Sequence, residues 1–478
     1  MAHLRGLMIS AVLAAAALAP GHVLAQGAPP AATAEVPGAS INLEGVTAFN
    51  AKNYVKAASL FQQAADAGNP TGQFNLGYLY ENGFGVPKDV AKAAALYRKA
   101  ADSGHDVAQN NLGTYYINGT GVPKDYKQAM YWYKKAADQG NTQSQYNVGY
   151  MYYLGQGVPV DFAQAAAWYK KAADGNLALA QNDLGSLYYD GSGVTQDYAT
   201  AATWYKKAAD QGLAVGQYDY GYMLVNGDGI AQDYAQGAVW YQKAADQGYD
   251  LAQYDLGLLY YNGYGVAKDL TKSAQWIRKA ADQGLMSAEV SMGDLYVQGG
   301  GVPQDYAQAM VWYRKGADQK SGEAANAIGN LYYNGHGVTK DEAQAVTWYR
   351  RGADLGYAQA QSSYGYMLEN GAGGLTADPV QAMVWYRKAA DQGLAEGQAN
   401  IGMIYLNGVG VTADPAQAVT WLKKSADGGY AFGAYALAVQ YTSGNGVAQD
   451  WAQARIYMQK AADGGIDAAK DWLAKNPA

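Results

Sequence analysis

The chain has 478 residues and contains no cysteine and only four histidines. Without cysteine it can form no disulfide bridge, offers no thiol nucleophile and cannot carry a lipid on a cysteine near a cleavage site. Lys and Arg do not cluster anywhere, so the basic footprint of a nucleic-acid-binding protein is missing. No apolar run is long enough for a transmembrane helix, which predicts no stable membrane insertion.

Catalytic motifs are missing as well. Two of the four histidines lie in a predicted signal peptide, and the other two, His105 and His336, fall in widely separated repeats. No H-E-x-x-H or G-x-S-x-G motif occurs, and no pair of carboxylates is singled out by spacing. These absences predict a protein that is not an enzyme and uses no cofactor or metal.

Glycine and aromatic residues, in contrast, are abundant, with 60 Gly, 43 Tyr and 11 Trp. They recur with a period of 36 residues, which predicts one supersecondary unit copied and stacked many times. The clearest sign of the period is a glycine, here called the marker glycine, that follows an apolar residue or Tyr. The marker glycines are Gly77, Gly113, Gly149, Gly185, Gly221, Gly257, Gly293, Gly329, Gly365 and Gly402.

Each unit is predicted to be a pair of helices, A and B, as the unit 106–141 illustrates. Helix A is expected over 106–117, because its apolar residues recur at helical spacing. A loop with two glycines, 118–124, ends it. Asp125 can cap the first free backbone N–H groups of helix B, expected over 126–137, and Gly140 ends that helix.

These repeated residues resemble the Sel-one-like repeat (SLR) family, a relative of the tetratricopeptide repeat. The shared pattern is A-x-x-x-L-G-x-x-Y-x-x-G-x-G-V-x-x-D-x-x-x-A-x-x-W-Y-x-K-A-A-D-x-G. In the unit 106–141 it is carried by Ala108, Leu112, Gly113, Tyr116, Gly119, Gly121, Val122, Asp125, Ala129, Trp132, Tyr133, Lys135, Ala136, Ala137, Asp138 and Gly140. The resemblance implies an all-α, right-handed solenoid with helix A on the concave side, and an adaptor that assembles complexes, in exported members at the cell envelope.

The predicted layout has five parts. Residues 1–25 read as a signal peptide with cleavage near Ala25, which predicts a periplasmic or secreted protein. Residues 26–41 read as a flexible linker and 42–69 as a short hairpin. Eleven SLR units follow over 70–466, and 467–478 form a capping half-unit.

Three conspicuous features of the repeat have structural explanations. A tryptophan ladder, one residue in each of nine units, is interpreted as core. The G-x-G loops are interpreted as helix–helix turns with positive φ rather than phosphate-binding loops. Lysine pairs at the end of helix B complement the helix dipole. The tryptophans are Trp132, Trp168, Trp204, Trp240, Trp276, Trp312, Trp348, Trp385 and Trp421.

Three rows of helix A vary between units while the repeat is kept, and they are predicted to face the concave groove. Relative to the marker glycine, the first row lies three residues before it, the second one after it and the third four after it. The first row leans toward an open groove and the third toward packing between A helices. The predicted partner-binding residues are Tyr146, Tyr150, Asn182, Tyr218, Tyr222, Tyr254, Asn326 and Asn330.

The sequence therefore predicts an exported scaffold that holds a protein partner in a Tyr- and Asn-lined groove, in envelope assembly, signalling or exopolysaccharide regulation. The alternatives are a module that binds envelope polysaccharide (exopolysaccharide or peptidoglycan) and a cell-wall hydrolase. Residues 314–374 depart from the repeat, with Gly316 and Gly352 inside helix B, Lys320 in place of glycine, and an extra glycine in 371–374. They are predicted to be the least rigid stretch.

Overall fold

The computed structural model describes residues 36–476, so the predicted signal peptide lies outside the described residues. Within them the chain is entirely α-helical, apart from turns and one short 3-10 turn, and no strand occurs. The chain divides into two compact units, one ending at Gln247 and the other beginning at Gly248. Each is described by itself.

The first unit consists of six helical hairpins, each with an A helix followed by a B helix. The A helices are α1 (Ala39–Asn50), α3 (Pro70–Asn82), α5 (Asp106–Asn118), α7 (Thr142–Leu154), α9 (Ala178–Asp190) and α11 (Ala214–Asn226). The B helices are α2 (Tyr54–Asp66), α4 (Val90–Asp102), α6 (Tyr126–Asp138), α8 (Phe162–Asp174), α10 (Tyr198–Asp210) and α12 (Tyr234–Asp246). Each hairpin packs on the next, so the unit is a solenoid.

The second unit repeats this arrangement and ends with one additional helix. Its A helices are α13 (Asp250–Asn262), α15 (Met286–Gln298), α17 (Gly322–Asn334), α19 (Ala358–Asn370), α21 (Ala395–Asn407) and α23 (Ala431–Ser443). Its B helices are α14 (Leu270–Asp282), α16 (Tyr306–Asp318), α18 (Glu342–Asp354), α20 (Pro379–Asp391), α22 (Pro415–Asp427) and α24 (Trp451–Asp463). The last helix is α25 (Asp467–Lys475). The predicted all-α solenoid is therefore confirmed.

The ends of the helices follow from local chemistry, as the hairpin of α5 and α6 shows. The Asp125 carboxylate accepts from the backbone N–H groups of Lys127 and Gln128, which have no partner inside the helix. Gly119 and Gly121 have φ of 71° and 66°, values that L side chains rarely adopt. The interpretation of the G-x-G loops as helix–helix turns is therefore confirmed.

The marker glycine exists because an aromatic ring of the same hairpin lies directly against it. A Cβ added to Gly113 would lie 2.6 Å from the ring of Tyr133, and one added to Gly185 would lie 2.8 Å from Tyr205. Tyr133 and Tyr205 are fully buried. The glycine thus lets helices A and B approach each other with a tyrosine between them.

Exceptions to this pair support the explanation. The ring is replaced by Ile277 opposite Gly257 and by Leu422 opposite Gly402. In the last hairpin the marker itself is Ala438, and it shares a buried cluster with the unbranched Met458. A larger residue at the marker position occurs together with a more adaptable partner.

The two termini of the array differ from the prediction in detail. Because α1 begins at Ala39, residues 39–41 of the predicted linker are helical. At the other end, α25 buries Ala469 against the last hairpin, with Trp472 and Leu473 packed beside it. No helix in residues 36–476 combines the length and apolar character that crossing a bilayer requires.

The irregular stretch keeps its helices. Lys320 adopts φ of 68° in place of the usual glycine, and α16 and α18 continue through Gly316 and Gly352 without a break. A Cβ on Gly352 would lie 2.8 Å from the carbonyl oxygen of Gly322, so the missing side chain allows α17 and α18 to approach closely. The extra residue is absorbed in a short 3-10 turn over Ala372–Gly374.

Candidate functional site

The first row of the A helices is mostly buried, so the expectation that it opens into a groove is wrong. Tyr146 is 6% exposed and stacks on Tyr150 and on the buried Tyr169, with ring centroids 6.2 and 5.4 Å away. Tyr218 is buried and stacks on Tyr241, with centroids 5.3 Å apart. These rings fill space between neighbouring helices instead of facing solvent.

Hydrogen bonds between successive A helices explain this burial. Each joins a first-row residue to the residue two before the marker glycine of the next hairpin. The Tyr146 hydroxyl donates to Asp183 at 2.9 Å, and the Asn147 amide donates to Asn110 at 3.0 Å. In the second unit the bonds join Tyr254 to Ser291, Ser363 to Asn326 and Asn400 to Ser362. We call this set of contacts the lateral ladder.

Five of the eight predicted partner-binding residues are therefore corrected to structural positions. Their side chains are less than a tenth exposed, because they pack or form hydrogen bonds between A helices. Asn182 is held by packing, since its side-chain oxygen is buried without a hydrogen-bond partner in the described structure. The five are Tyr146, Tyr150, Asn182, Tyr218 and Asn326.

The other three predicted residues remain accessible. Tyr222 and Tyr254 are partly exposed, and Asn330 is exposed. Tyr366, which occupies the second row of α19, is 47% exposed. Apart from the buried Tyr150, the second row of the A helices is thus the main part of the predicted groove that a partner can reach, and Tyr254 of the first row is accessible as well. Binding by these residues stays a prediction.

The hydroxyl groups of the core tyrosines lie close to the second and third rows of the A helices. In six hairpins the hydroxyl of the core tyrosine forms a hydrogen bond with a polar second- or third-row residue of the same hairpin. The pairs are Tyr97–Glu81, Tyr133–Thr114, Tyr205–Ser186, Tyr313–Asp294, Tyr349–Asn330 and Tyr386–Glu369, all between 2.6 and 3.1 Å. Where the core residue is Ile277 or Leu422, the second row holds Leu258 or Met403. Variation in the second row therefore partly reflects the core beneath it.

Carboxylates lie among these tyrosines, and their protonation is perturbed. Burial raises the pKa of Asp183 to about 7, opposed by the hydrogen bond from Tyr146 and reinforced by the charge of Asp219. Partial desolvation raises the pKa of Asp294, and it raises that of Glu323, where the charge of Asp294 adds to the effect. Sequence spacing did not single out these carboxylates, since they belong to different hairpins.

The tryptophan ladder lies at the boundary of the core. Trp132, Trp204 and Trp312 are buried. The other six are partly buried, and four of these pack against core clusters: Trp168, Trp348, Trp385 and Trp421. The lysine three residues later covers the ring, as with Lys171 over Trp168 at 3.7 Å and Lys243 over Trp240 at 3.6 Å. The interpretation of the ladder as core is therefore confirmed for the rings that are buried or packed against a core cluster, and a cation–π contact covers the outer face of the partly buried ones. The recurring W-Y-x-K spacing, which places a basic residue three positions after the tryptophan, is the sequence feature that could have predicted this contact.

Neither remaining histidine belongs to a catalytic arrangement. The His105 ring accepts from the backbone N–H of Ala108 through Nδ1, so it caps helix α5, and it stacks on Phe74 at 4.9 Å. Burial lowers the pKa of His105. His336 stacks on Tyr306, with ring centroids 4.7 Å apart.

The comparisons with known proteins agree with this architecture. The family model described as Sel1 repeat matches twelve consecutive segments, of which the first, residues 45–69, lies within the short hairpin predicted over 42–69 and the last covers 431–466. No curated protein matches the chain significantly.

Two solved structures illustrate the likeness. The first is a protective antigen of uropathogenic Escherichia coli that displays an SLR fold. It is 36% identical, with a TM-score of 0.75, over 88% of this chain and 91% of that one. The second is a Sel1 repeat protein from Oxalobacter formigenes, which is 31% identical, with a TM-score of 0.47, over 51% of this chain and 96% of that one. With the family model covering almost the entire described chain, the protein belongs to the Sel1 repeat family.

Proposed function

We propose that this protein is an exported, non-enzymatic scaffold that holds a protein partner on the accessible second and third rows of its A helices. Sel1 repeat proteins are typically scaffolds for protein–protein interaction and are generally non-catalytic. The signal-like residues 1–25 favour export to the periplasm. In that compartment the scaffold would serve envelope assembly, signalling or exopolysaccharide regulation.

The observation that carries the proposal is the accessibility of tyrosines in these rows. Tyr366 is 47% exposed, while Tyr222, Tyr261 and Tyr333 are partly exposed, on helices whose cores repeat. Tyrosine offers a large, rigid surface and a hydroxyl group, and it is enriched where interfaces carry most of their binding energy. The packing of hairpins on one another requires the buried core tyrosines, but it does not require the exposed tyrosines of the second and third rows.

Site-specific photocrosslinking in the cells that make the protein tests this proposal. A benzophenone amino acid would replace Tyr222 or Tyr366 on the A helices. The matched controls carry it at Val239 or Val384, which are 48% and 45% exposed on B helices. We expect a discrete protein adduct from the A-helix positions and none from the controls. Adducts of equal yield from both faces, or from neither, would refute the assigned surface.

A polysaccharide ligand is the second candidate, favoured by the grouping of Tyr366 with Tyr333 and the carboxylate of Glu369. The hydrogen bond with Tyr333 raises the pKa of Tyr366, and the charge of Glu369 adds a smaller effect. Aromatic rings stack on sugar faces, and carboxylates accept hydrogen bonds from sugar hydroxyls. Titration with purified exopolysaccharide or peptidoglycan fragments would then quench tyrosine fluorescence, and Tyr366→Ala would abolish the change. An unchanged signal at millimolar sugar concentrations would eliminate this candidate.

Export is tested separately by fractionation. The full chain should accumulate in the periplasm or medium at a mass that corresponds to cleavage near Ala25. Replacing Ala25 with a bulky residue should leave the uncleaved precursor, since signal peptidase requires a small side chain there. A full-length cytoplasmic product in the natural host would contradict export.

A further inference from the structure

The A helices differ from every other part of the described chain in charge. The twelve helices α1, α3 and onward to α23 contain several Asp and Glu residues and, within these described segments, no Lys or Arg. All basic side chains of residues 36–476 lie on B helices, in loops or on α25. The A helices themselves therefore carry negative charge without positive charge, while two lysines of the A-to-B loops, Lys268 and Lys340, lie over the third-row rings of Tyr261 and Tyr333.

The B helices show that this separation is not a matter of overall composition. Each B helix from α4 to α24 has a Lys or Arg in its last turn, and most of these cations lie over an aromatic ring. The same repeat thus places a cation in nearly every unit, always on one of its two helices. Dipole complementarity favours cations at the ends of all helices, so it does not explain their absence from α3 to α23.

Packing does not exclude lysine from the A helices either. Asn330 is exposed and Tyr366 is 47% exposed, and a flexible lysine stem could lie along such a surface with its amine in water. Asn334 and Asn370, at the ends of α17 and α19, are likewise exposed. Cations are absent even from positions where they would fit.

In the second unit the negative groups lie among tyrosines at two places. Asp294 accepts from the Tyr313 hydroxyl at 2.6 Å, and its charge acts together with that of Glu323 on the phenol of Tyr357. Glu369 accepts from Tyr386 at 2.8 Å, and Glu396 accepts from Gln359 and Ser362 at 2.6 and 3.1 Å. Burial raises the pKa of Tyr386, and the charges of Glu369 and Glu396 add to the effect. Each place combines two carboxylates from successive hairpins with neighbouring phenol rings.

From this separation of charge we infer that the partner docks through an extended, basic segment. The inference rests on the proposed function and specifies the chemistry of the partner. Lys or Arg side chains of the segment would contact the Asp294–Glu323 and Glu369–Glu396 carboxylates, with their stems against the tyrosine rings. The complementarity would also speed association and make it depend on salt.

Fluorescence anisotropy with defined peptides tests the inference. The probes are labelled dodecapeptides of alternating Lys and Ser, with Gln or Glu in place of Lys as neutral and acidic controls. We expect the mature protein to bind the lysine peptide at least tenfold more tightly than the neutral one at 150 mM salt, and not to bind the acidic one. Raising the salt to 500 mM should weaken binding severalfold.

Two variants with the same net charge locate the binding. The surface variant combines Asp294→Asn, Glu323→Gln, Glu369→Gln and Glu396→Gln, which keep hydrogen-bond acceptors in place. The control neutralises four exposed carboxylates at the ends of B helices, Asp282, Asp318, Asp354 and Asp391, as Asn. We expect at least a tenfold loss for the surface variant and less than a twofold loss for the control, with both melting temperatures kept.

Equal losses in the two variants would overturn the inference, because they would indicate attraction to net charge alone. Equal binding of the lysine and neutral peptides would overturn it as well. The proposed function has a separate outcome. A protein adduct at Tyr366 whose crosslinked segment is neutral or acidic would preserve the scaffold role and reject only the basic segment.

Discussion

The A and B helices are nearly equal in length and alternate along the chain, yet they are chemically different. The A helices contain the marker glycines, the lateral ladder and the accessible tyrosines, with no cation among the described residues. The B helices contain the core rings, the capping aspartates and the tryptophans covered by lysine. The difference indicates that B helices hold each hairpin together, whereas A helices connect hairpins and leave one face free to vary.

The largest expected effect concerns the glycine–tyrosine contact between the two helices. Gly185→Val would press two methyl groups into the ring of Tyr205, and overpacking of this kind costs about 3 kcal/mol. Amide hydrogen exchange in α9 and α10 should accelerate by about 100-fold or more. Gly212→Ala, where a new Cβ meets nothing within 4 Å, is the control and should cost about 1 kcal/mol through its positive φ.

A double-mutant cycle sharpens this prediction, because the last hairpin already pairs Ala438 with Met458. Gly185→Ala and Tyr205→Met should each destabilise the hairpin, while together they should be less harmful than the sum by about 1 kcal/mol. Additive effects would show that ring contact is not the reason for the glycine.

The second effect is a pH dependence that belongs to the A helices. The folded pKa of Asp183, about 7, is above the value of about 4 expected when unfolded. Its contribution to stability is therefore fully present below pH 4 and is lost as pH rises through 7. We expect the free energy of unfolding to fall by about 2–4 kcal/mol between pH 4.5 and 8 on account of this group.

Urea unfolding followed by tryptophan fluorescence at several pH values measures this loss. Asp183→Asn should remove most of the slope, whereas Asp174→Asn, at an exposed carboxylate on the neighbouring B helix, should leave it in place. The same slope in Asp183→Asn and in the natural protein would contradict the assignment.

The third effect distinguishes the two B helices α16 and α18, which contain an internal glycine, from regular B helices. Glycine inside a helix is less favourable than alanine by about 1 kcal/mol, and α16 and α18 each contain one at Gly316 and Gly352. Residues 314–374 should therefore exchange amide hydrogens roughly tenfold faster than the regular hairpins over 106–213. Equal protection of the two stretches would show that close packing at Gly352 offsets its flexibility.

The fourth effect compares two core tyrosines by the fate of their hydroxyls. Tyr313→Phe removes the bond to Asp294 and should cost about 1.5 kcal/mol, since that carboxylate loses a donor. The hydroxyl of Tyr169 is buried without a hydrogen-bond partner in the described structure. Tyr169→Phe should thus be neutral or stabilising in thermal unfolding, and a loss as large as that of Tyr313→Phe would refute the comparison.

The smallest effect concerns the lysine–tryptophan contact of the B helices. Lys243→Gln should cost about 0.5–1 kcal/mol and increase quenching of Trp240 by iodide, because the ring loses its cover. Lys243→Arg keeps a cation over the ring and should be close to the natural protein. If the two variants had the same stability and the same quenching, the cation–π contact would contribute nothing measurable to the free energy of unfolding.

Most of the fold could be predicted, because a 36-residue period and an aspartate before each B helix from α4 to α24 constrain the local geometry. The bounds of α6 differ from the prediction by one residue at its end. The candidate site could not be predicted as well. Tyr150 and Tyr222 occupy the same position of the repeat, yet Tyr150 is buried and Tyr222 is partly exposed, because exposure depends on how neighbouring A helices pack laterally.

The burial of the tryptophans was equally difficult to predict from the sequence. Hydrophobicity alone predicts equal burial of Trp168 and Trp204, but Trp204 is buried while Trp168 is only partly buried. The difference lies in neighbouring side chains, and hairpin spacing does not reveal it. Patterns within a helix were thus informative, whereas contacts between hairpins required the structure.

The extra residue near Gly373 shows where the protein can accept an inserted sequence. In regular hairpins a glutamine at the end of helix B donates to a residue of helix A thirty positions earlier, as Gln283 does to Gln253 at 2.8 Å. In the hairpin with the insertion the separation is 31, yet Gln392 still donates to Gln361 at 2.9 Å. Loop length is thus independent of helix register, which makes the A-to-B loops suitable places to insert an epitope or a fluorescent tag without disturbing the array.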